Sequence, residues 1–165
     1  MIIMDKFLLQ QQVLDRLAED LLQAEQAVQA AHETATHEEN IAENKYDTLG
    51  LEAAYLATGQ ARRAEAIRQA MVHWRQFRPH PYDAGKGIQL GALVCLVDAD
   101  DQQQQQLLFL GPQGGSMKLA SGGHTVQVIS SDAPLGRAVL GKCEGDEVWI
   151  QVALVRQEFE VLRVD

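Results

Sequence analysis

The feature that most constrains the fold of this chain is the stretch 5–77, which contains no proline and only two glycines. Such a stretch can form long, uninterrupted helices. Its apolar residues recur at heptad spacing, which predicts amphipathic helices with a narrow seam of the coiled-coil type. The first seam consists of two series around the polar Gln10: Phe7, Leu14, Leu21, Val28 and Ala35, and Leu17, Ala24 and Ala31. The second seam consists of Leu49, Ala53, Leu56, Gln60, Ala64, Ile67, Met71 and Trp74.

The two seams are separated by the polar segment "HETATHEENIAENKYD", which spans residues 32–47. Its threonines and Asn40 are residue types that cap or end helices. Two amphipathic helices joined by a short polar connection are expected to fold back on each other as an antiparallel hairpin. We therefore predict a helical hairpin over residues 1–78, with its turn between Thr34 and Glu43.

The pattern changes after Trp74. The segment "RPHPYDAGKG" carries two prolines and two glycines, which predicts a linker over residues 79–87. From Ile88 onward, short apolar or alternating segments separated by turn residues predict a β domain over residues 88–165. The expected strands lie in "LGALVCLV", "QLLFLG", "HTVQVIS", "EVWIQVAL" and "EFEVLRV".

The segment "GRAVLGKC" has the Gly-x4-Gly-Lys spacing of a phosphate-binding loop, but Cys143 stands where a Ser or Thr would bind magnesium. The residues between the glycines are compatible with a helix. Pro134 is typical of a helix start, and Asp132 is expected to be the N-cap. We therefore predict a short helix from Pro134 to Leu140 that ends at Gly141, and no nucleotide site. The fold class is α+β: an antiparallel helical hairpin followed by an antiparallel β-sheet domain with a short helix.

The formal net charge of −9 and the pI near 4.9 argue against a general duplex-binding protein and favour protein partners. The chain contains two cysteines, Cys95 and Cys143, which are expected to be reduced thiols in the core rather than a disulfide. The apolar run at the N-terminal end is too short for a signal peptide, and no apolar run in the sequence approaches the length of a membrane span. A cytoplasmic protein without membrane contact is expected.

Two segments resemble a known family. "VISSDAPLGRAVLGKCEGDEVWI" resembles the C-terminal signature of the bacterial Gre (GreA/GreB) transcript-cleavage factors. "AENKYDTLGLEAAYL" resembles, more weakly, the tip of their helical hairpin. The resemblance implies an FKBP-like fold for the C-terminal domain. It also implies that the protein is a regulator of RNA polymerase and not itself an enzyme.

The resemblance implies a mechanism as well. Gre factors dock their C-terminal domain on the rim of the secondary channel of bacterial RNA polymerase, and their hairpin reaches the active centre. Acidic tip residues there help to hold a second magnesium ion, which suits carboxylate ligands, and position a water that cleaves backtracked RNA. The protein would thus have no cofactor of its own, would share the polymerase's magnesium, and would meet the RNA 3′ end only within the elongation complex. A monomer is expected.

The resemblance carries the docking contact over to Asp132, Ala133 and Pro134. At the tip it carries the second metal-holding acid over to Glu43, whereas Asn40 stands in place of the first, an aspartate. Two acids just upstream are candidates to replace it, so the catalytic candidates are Glu43, Glu39 and Glu38, with Glu43 and Glu39 as magnesium ligands in the complex. The alternative is that these three acids only form a solvated polar turn. The hairpin also carries three arginines that either contact RNA or polymerase or only solvate a helix face: Arg62, Arg63 and Arg68.

Three alternatives remain open at this point. The loss of an acid at Asn40 fits equally well with a non-cleaving competitor, which would only occupy the channel. The FKBP-like fold leaves a peptidyl-prolyl isomerase as a remote alternative, which rests on fold analogy alone. The seams would also serve a coiled-coil oligomerisation module.

Overall fold

The computed structural model describes residues 4–37 and 49–165, with the side chain of Leu49 outside the description. The described residues form two compact units, Met1–Leu14 with His73–Asp165, and Asp15–Val72. Neither long helix carries an apolar stretch of the length that a membrane span requires within the described residues. The elements are α1 (Lys6–Thr36), α2 (Leu49–Gln76), β1 (Leu93–Asp98), β2 (Gln105–Gly111), β3 (Met117–Ser121), β4 (His124–Ser130), α3 (Pro134–Val139), β5 (Glu147–Val152) and β6 (Val155–Val164).

The unit Asp15–Val72 consists of parts of α1 and α2, which an ion pair joins: Arg68 Nη2 lies 2.7 Å from Glu25 Oε1. The two helices bury mainly small residues, which allow close approach but remove little apolar area from water. The buried set is Leu17, Ala24, Ala31, Ala53, Ala64, Ala70 and Met71. The predicted series Leu17, Ala24 and Ala31 is therefore confirmed as the inner face of α1.

One member of the second predicted seam is wrong. Leu56 is 57% exposed, whereas the neighbouring Ala57 is half-buried. Two buried residues of α2, Ala53 and Ala64, are separated by 11 positions, which correspond to three full helical turns. Because this spacing places Ala57 on the inner face, Leu56 is turned outward.

The first turns of α1 and the last residues of α2 belong to the other unit, where the two helices run antiparallel. Lys6 Nζ donates to the carbonyl of His80 at 2.6 Å, and Gln10 Nε2 donates to the carbonyl of Trp74 at 2.6 Å. From Lys6 to Gln10 the chain runs forward along α1, whereas the residues they contact run backward from His80 to Trp74. The two segments are therefore antiparallel. The expectation that Phe7 is inside is wrong, since it is 60% exposed. The inner face at this end of α1 is formed by Leu9, Gln10 and Val13 instead.

The predicted hairpin turn is described only in part. Helix α1 ends at Thr36, inside the predicted range. The remainder of that range, up to Glu43, lies outside the described residues apart from His37.

The sheet has six strands in the order β3-β4-β2-β1-β6-β5. Four pairings are antiparallel, and β2 and β4 pair in parallel, with Phe109 opposite Val128. The prediction of a purely antiparallel sheet is corrected in this pairing, and strand β3 was not predicted. After β2, the turn "GPQGGS" leads to β3, which does not pair with β2 but lies two strand positions away from it. The β3–β4 hairpin then turns at Gly122 and Gly123, both at positive φ, so that β4 returns between β3 and β2.

The C-terminal domain has its main core on one face of the sheet, where α3 lies next to β5. Tyr82 and Leu135 pack against this core. The predicted short helix is confirmed within one residue, because α3 ends at Val139 and Gly141 follows Leu140 with φ of 77°. The largest fully buried side chains of the core cluster are Ile88, Val94, Leu96, Leu108, Leu110 and Val139.

The segment 79–87, predicted as a linker, lies against the C-terminal domain. The Glu144 N–H donates to Tyr82 Oη at 3.4 Å, and the Cys143 thiol donates to the carbonyl of Ala84 at 3.5 Å. Cys95 and Cys143 are both free, as predicted. Only Cys95 is buried, so the expectation that both thiols lie in the core is wrong for Cys143, which is half-exposed.

Candidate functional site

The turn between β4 and α3 brings the three predicted docking residues together. The Ala133 N–H donates to the carbonyl of Ser130 at 3.2 Å, which closes the turn. Ala133 packs against the core of the domain, whereas Asp132 and Pro134 are exposed. The turn is thus anchored by its middle residue and presents an acid and a proline to solvent.

The expectation that Asp132 caps α3 is wrong. The N-cap residue is Ala133, with extended dihedrals (φ −64°, ψ 148°) and no side-chain cap bond. A capping side chain belongs to the residue directly before the helix, and Asp132 lies one residue too early because Pro134 already occupies the first helical position. The Asp132 carboxylate instead accepts a hydrogen bond from Gln113 Nε2 in the β2–β3 loop.

Gly136 fixes the position of α3 next to the end of β4. A Cβ at Gly136 would lie 2.0 Å from the carbonyl oxygen of Ser130. No side chain fits at that distance, so the helix approaches the strand as closely as it does only because this residue is glycine. In the sequence, Gly136 is only the first glycine of the spurious phosphate-loop pattern, and nothing there indicates this role.

The segment Gly136–Cys143 has no open cradle of N–H groups for a phosphate. The Gly141 N–H donates to the carbonyl of Ile88 at 2.8 Å, and the Lys142 N–H donates to the carbonyl of Val139 at 3.0 Å. The Cys143 N–H donates to Asp146 Oδ2 at 2.8 Å. These bonds close the turn after α3, which agrees with the prediction that the Gly-Lys pair is not a nucleotide site.

The tip candidates Glu38, Glu39, Asn40 and Glu43 lie outside the described residues. Within residues 4–37 and 49–165, no three His, Cys, Asp or Glu side chains converge on a point that could hold a metal.

The three candidate arginines lie exposed on α2. Arg68 contacts both Glu25 on α1 and Glu65 on its own helix, at 2.7 and 3.3 Å. The hydrogen bond to Glu25 raises the pKa of the Arg68 guanidinium above its ordinary value. Arg68 is therefore a link between the two helices, whereas Arg62 and Arg63 point to solvent and keep the predicted role as candidates for contact with RNA or polymerase.

Comparison with known proteins adds an independent observation. A family model described as "Transcription elongation factor, GreA/GreB, C-term" matches residues 83–165, which is half of the chain. The chain belongs to the GreA/GreB family. The family description names a transcription elongation factor, the family that the two sequence segments resemble.

Two curated relatives of this GreA/GreB-family chain illustrate the extent of the match. The transcription elongation factor GreA of Xanthomonas campestris pv. campestris is 33% identical over 81 residues, which cover 49% of this chain and 47% of that protein. GreA of Maridesulfovibrio salexigens is 27% identical over 111 residues, which cover 63% of this chain and 65% of that protein. The matches therefore span about half of the first relative and less than two thirds of the second.

Two solved structures are also similar to this chain. The crystal structure of GreA factor homolog 1 (Gfh1) of Thermus thermophilus covers 92% of this chain and 94% of its own, at 21% identity and a TM-score of 0.39. The GreA/GreB factor of Nitrosomonas europaea covers 60% of this chain and 78% of its own, at 16% identity and a TM-score of 0.39.

Proposed function

We propose that this protein regulates transcription by binding bacterial RNA polymerase at its secondary channel. In this proposal the C-terminal domain docks on the channel rim through the turn Asp132, Ala133 and Pro134. The helical tip reaches the active centre and meets the RNA 3′ end there. The proposal draws on membership of the GreA/GreB family and on the docking signature of the sequence.

The observation that carries this proposal is the construction of the β4–α3 turn. Asp132 and Pro134 are exposed, whereas the Ala133 between them packs against the core. Because Gly136 has no side chain, α3 lies close against the end of β4, so the turn is supported on both sides. A fixed, exposed acid next to a rigid proline is suited to contact a protein partner, because little conformational entropy is lost on binding. The net charge of −9 favours a basic partner surface.

Docking is tested by measuring binding to purified bacterial RNA polymerase core enzyme. The double variant Asp132→Ala, Pro134→Ala is expected to bind about tenfold more weakly or worse, since exposed anchor residues dominate small interfaces. Gln103→Ala, on the β1–β2 loop of the same domain, is the matched surface control and is expected to bind normally. Circular dichroism verifies that both variants are folded. Unchanged affinity of a folded double variant contradicts the docking assignment.

For the tip, we propose weak stimulation of RNA cleavage, with occupation of the channel as the dominant effect. Asn40 stands where the Gre tip has a metal-holding aspartate, and an amide is a neutral and poorer magnesium ligand than a carboxylate. Glu43 and the upstream acids Glu39 and Glu38 supply the remaining carboxylates. When bound between them and polymerase, magnesium would stabilise charge on the reacting phosphate.

One experiment distinguishes weak stimulation of cleavage from the competing function, in which the protein binds polymerase without any cleavage. Backtracked elongation complexes are incubated with the natural protein, and shortening of the RNA is followed over time. Slow shortening, faster than in polymerase alone, supports a weak cleavage factor. Binding to polymerase without any shortening supports the pure competitor.

A further inference from the structure

The docking acid Asp132 has a side-chain partner of its own in a neighbouring loop. Its Oδ2 accepts a hydrogen bond from Gln113 Nε2, although the two residues lie 19 positions apart in the sequence. Within residues 4–37 and 49–165, Gln113 is the one hydrogen-bond partner of this carboxylate. The carboxylate therefore has a preferred direction without being part of the helix cap, and Oδ1 is left to a donor from outside.

The loop that carries Gln113 is itself held in place from below. Gly111 and Gly115 flank it, and both are buried. A Cβ at Gly111 would lie 2.2 Å from Trp74 Cη2, and one at Gly115 would lie 2.3 Å from Trp74 Cζ2. The backbone at the two ends of the loop thus lies directly against the indole ring.

The indole is in turn a fixed support. Trp74 is fully buried and meets the ring of Phe77 edge to face, with ring centroids 5.6 Å apart. Phe109 of β2 completes the cluster, with its centroid 6.2 Å from that of Trp74. Rings packed on several sides keep one orientation, so the loop above them places Gln113 at a fixed distance from the β4–α3 turn.

We propose that Gln113 is a positioning residue of the docking turn: its amide orients the Asp132 carboxylate towards the polymerase. The proposal rests on the proposed function, in which Asp132 makes the docking contact. A neutral amide suits this role because it holds one carboxylate oxygen and leaves the negative charge for the partner. A lysine or arginine at the same place would neutralise that charge.

A double-mutant cycle on polymerase binding tests this role, because it separates an effect exerted through Asp132 from a general structural effect. Gln113→Ala in the natural protein is expected to weaken binding about fivefold, the usual size of one hydrogen bond. In the Asp132→Ala background, the same change is expected to have no effect. Gln113→Glu places a second carboxylate beside the first, and its effect is expected to exceed that of Gln113→Ala.

The outcomes distinguish the two proposals. If Asp132→Ala leaves binding unchanged, the docking assignment itself fails. If Asp132→Ala weakens binding but Gln113→Ala does not, or if the two effects simply add, docking stands and the positioning role of Gln113 is overturned. Gln103→Ala serves as the control for an exposed glutamine elsewhere on the domain. Thermal unfolding of each variant shows that the fold is intact, since Gln113 is exposed and contributes little to the core.

Discussion

Trp74 lies directly against the backbone of Gly115, so closely that a methyl group on Gly115 would come within 2.3 Å of Trp74 Cζ2. A Cβ at Gly111 would likewise lie 2.2 Å from Cη2 of the same ring. The end of α2 therefore fits against the end of β2 and the β2–β3 loop only because Gly111 and Gly115 have no side chain. Neither glycine has positive φ, so their role here is one of space and not of backbone conformation.

We predict that Gly115→Ala destabilises the protein by about 1–3 kcal/mol, the usual cost of overpacking a filled site. The added methyl group would overlap a ring that Phe77 and Phe109 prevent from moving away. The measurement is the free energy of unfolding from urea titrations followed by tryptophan fluorescence. Gly111→Ala is expected to behave in the same way.

The matched control for this prediction is Gly59→Ala. Gly59 lies within α2, and a Cβ there would meet nothing within 4 Å. Because alanine favours the helix over glycine by about 0.5–1 kcal/mol, this variant is expected to be slightly more stable than the natural protein. Equal effects of Gly59→Ala and Gly115→Ala on stability would contradict the tight fit at Trp74.

Gln10 is a buried polar residue in the otherwise apolar seam of α1. Its Nε2 donates to the carbonyls of Trp74 and Phe77, at 2.6 and 2.8 Å, and so satisfies groups at the end of α2. Gln10→Leu would complete the apolar seam but leave both carbonyls without this donor. We predict that it lowers the free energy of unfolding by about 1–3 kcal/mol. Calorimetric or urea unfolding measures the change.

Gln26→Ala provides the comparison for Gln10→Leu, since Gln26 is exposed on the same helix. A surface change of this kind is expected to stay within about 0.5 kcal/mol of the natural protein. A Gln10→Leu variant that is more stable than the natural protein would show that the seam gains more from an apolar residue than from the two hydrogen bonds.

These cases show how far the sequence could predict the fold. The seam residues Leu17 and Ala24 could be predicted because helical periodicity is a local property. The limits of α3 could be predicted for the same reason, from Pro134 and Gly141. The parallel pairing of β2 with β4 could not, since strand order is decided by packing between segments that are distant in the sequence.

The two cysteines are expected to differ in reactivity. Cys143 is half-exposed, whereas Cys95 is buried, and burial raises the pKa of the Cys95 thiol despite the opposing effect of Arg163. Because the thiolate is the reactive form, we predict that Cys143 is alkylated first in the native protein near pH 8 and that Cys95 reacts on the order of tenfold more slowly. The rate at Cys95 should keep rising with pH beyond the range of an ordinary thiol. Mass spectrometry of samples quenched at intervals measures both rates.

The assignment of the two phases is checked with serine variants. Cys143→Ser should remove the fast phase, and Cys95→Ser the slow one. Native-state labelling of Cys95 as fast as that of Cys143 would be incompatible with its burial on β1.

The place of the candidate turn in the fold could be predicted from the sequence, but its contacts could not. The sequence signature around Asp132 predicted a turn before a short helix, and in the structure Asp132 and Pro134 are exposed there while Ala133 packs against the core. The partner Gln113 gives no signal in the sequence, because an exposed glutamine in a glycine-rich loop has the composition of any solvated turn. The support from Trp74 was hidden for a different reason, since the seam pattern accounts for a buried tryptophan on α2 without reference to the loop.

In the proposed function, the tip residues decide between weak cleavage and simple occupation of the channel. We predict that Asn40→Asp raises the rate of RNA cleavage in backtracked complexes by about tenfold at limiting magnesium. In the proposed complex with polymerase, the added carboxylate would place a full negative charge near the magnesium ion. At roughly 4 Å and an effective dielectric constant of about 20, this is worth up to about 4 kcal/mol before desolvation, and about 1.4 kcal/mol is enough for a tenfold change in rate. Glu43→Gln is expected to abolish the residual cleavage by the natural protein, and Glu39→Gln to reduce it less. Vigorous cleavage by the natural protein that is lost in Glu39→Gln would show that the acid pair lies upstream of Asn40. Normal binding without cleavage by Asn40→Asp would leave the protein as a competitor for the channel.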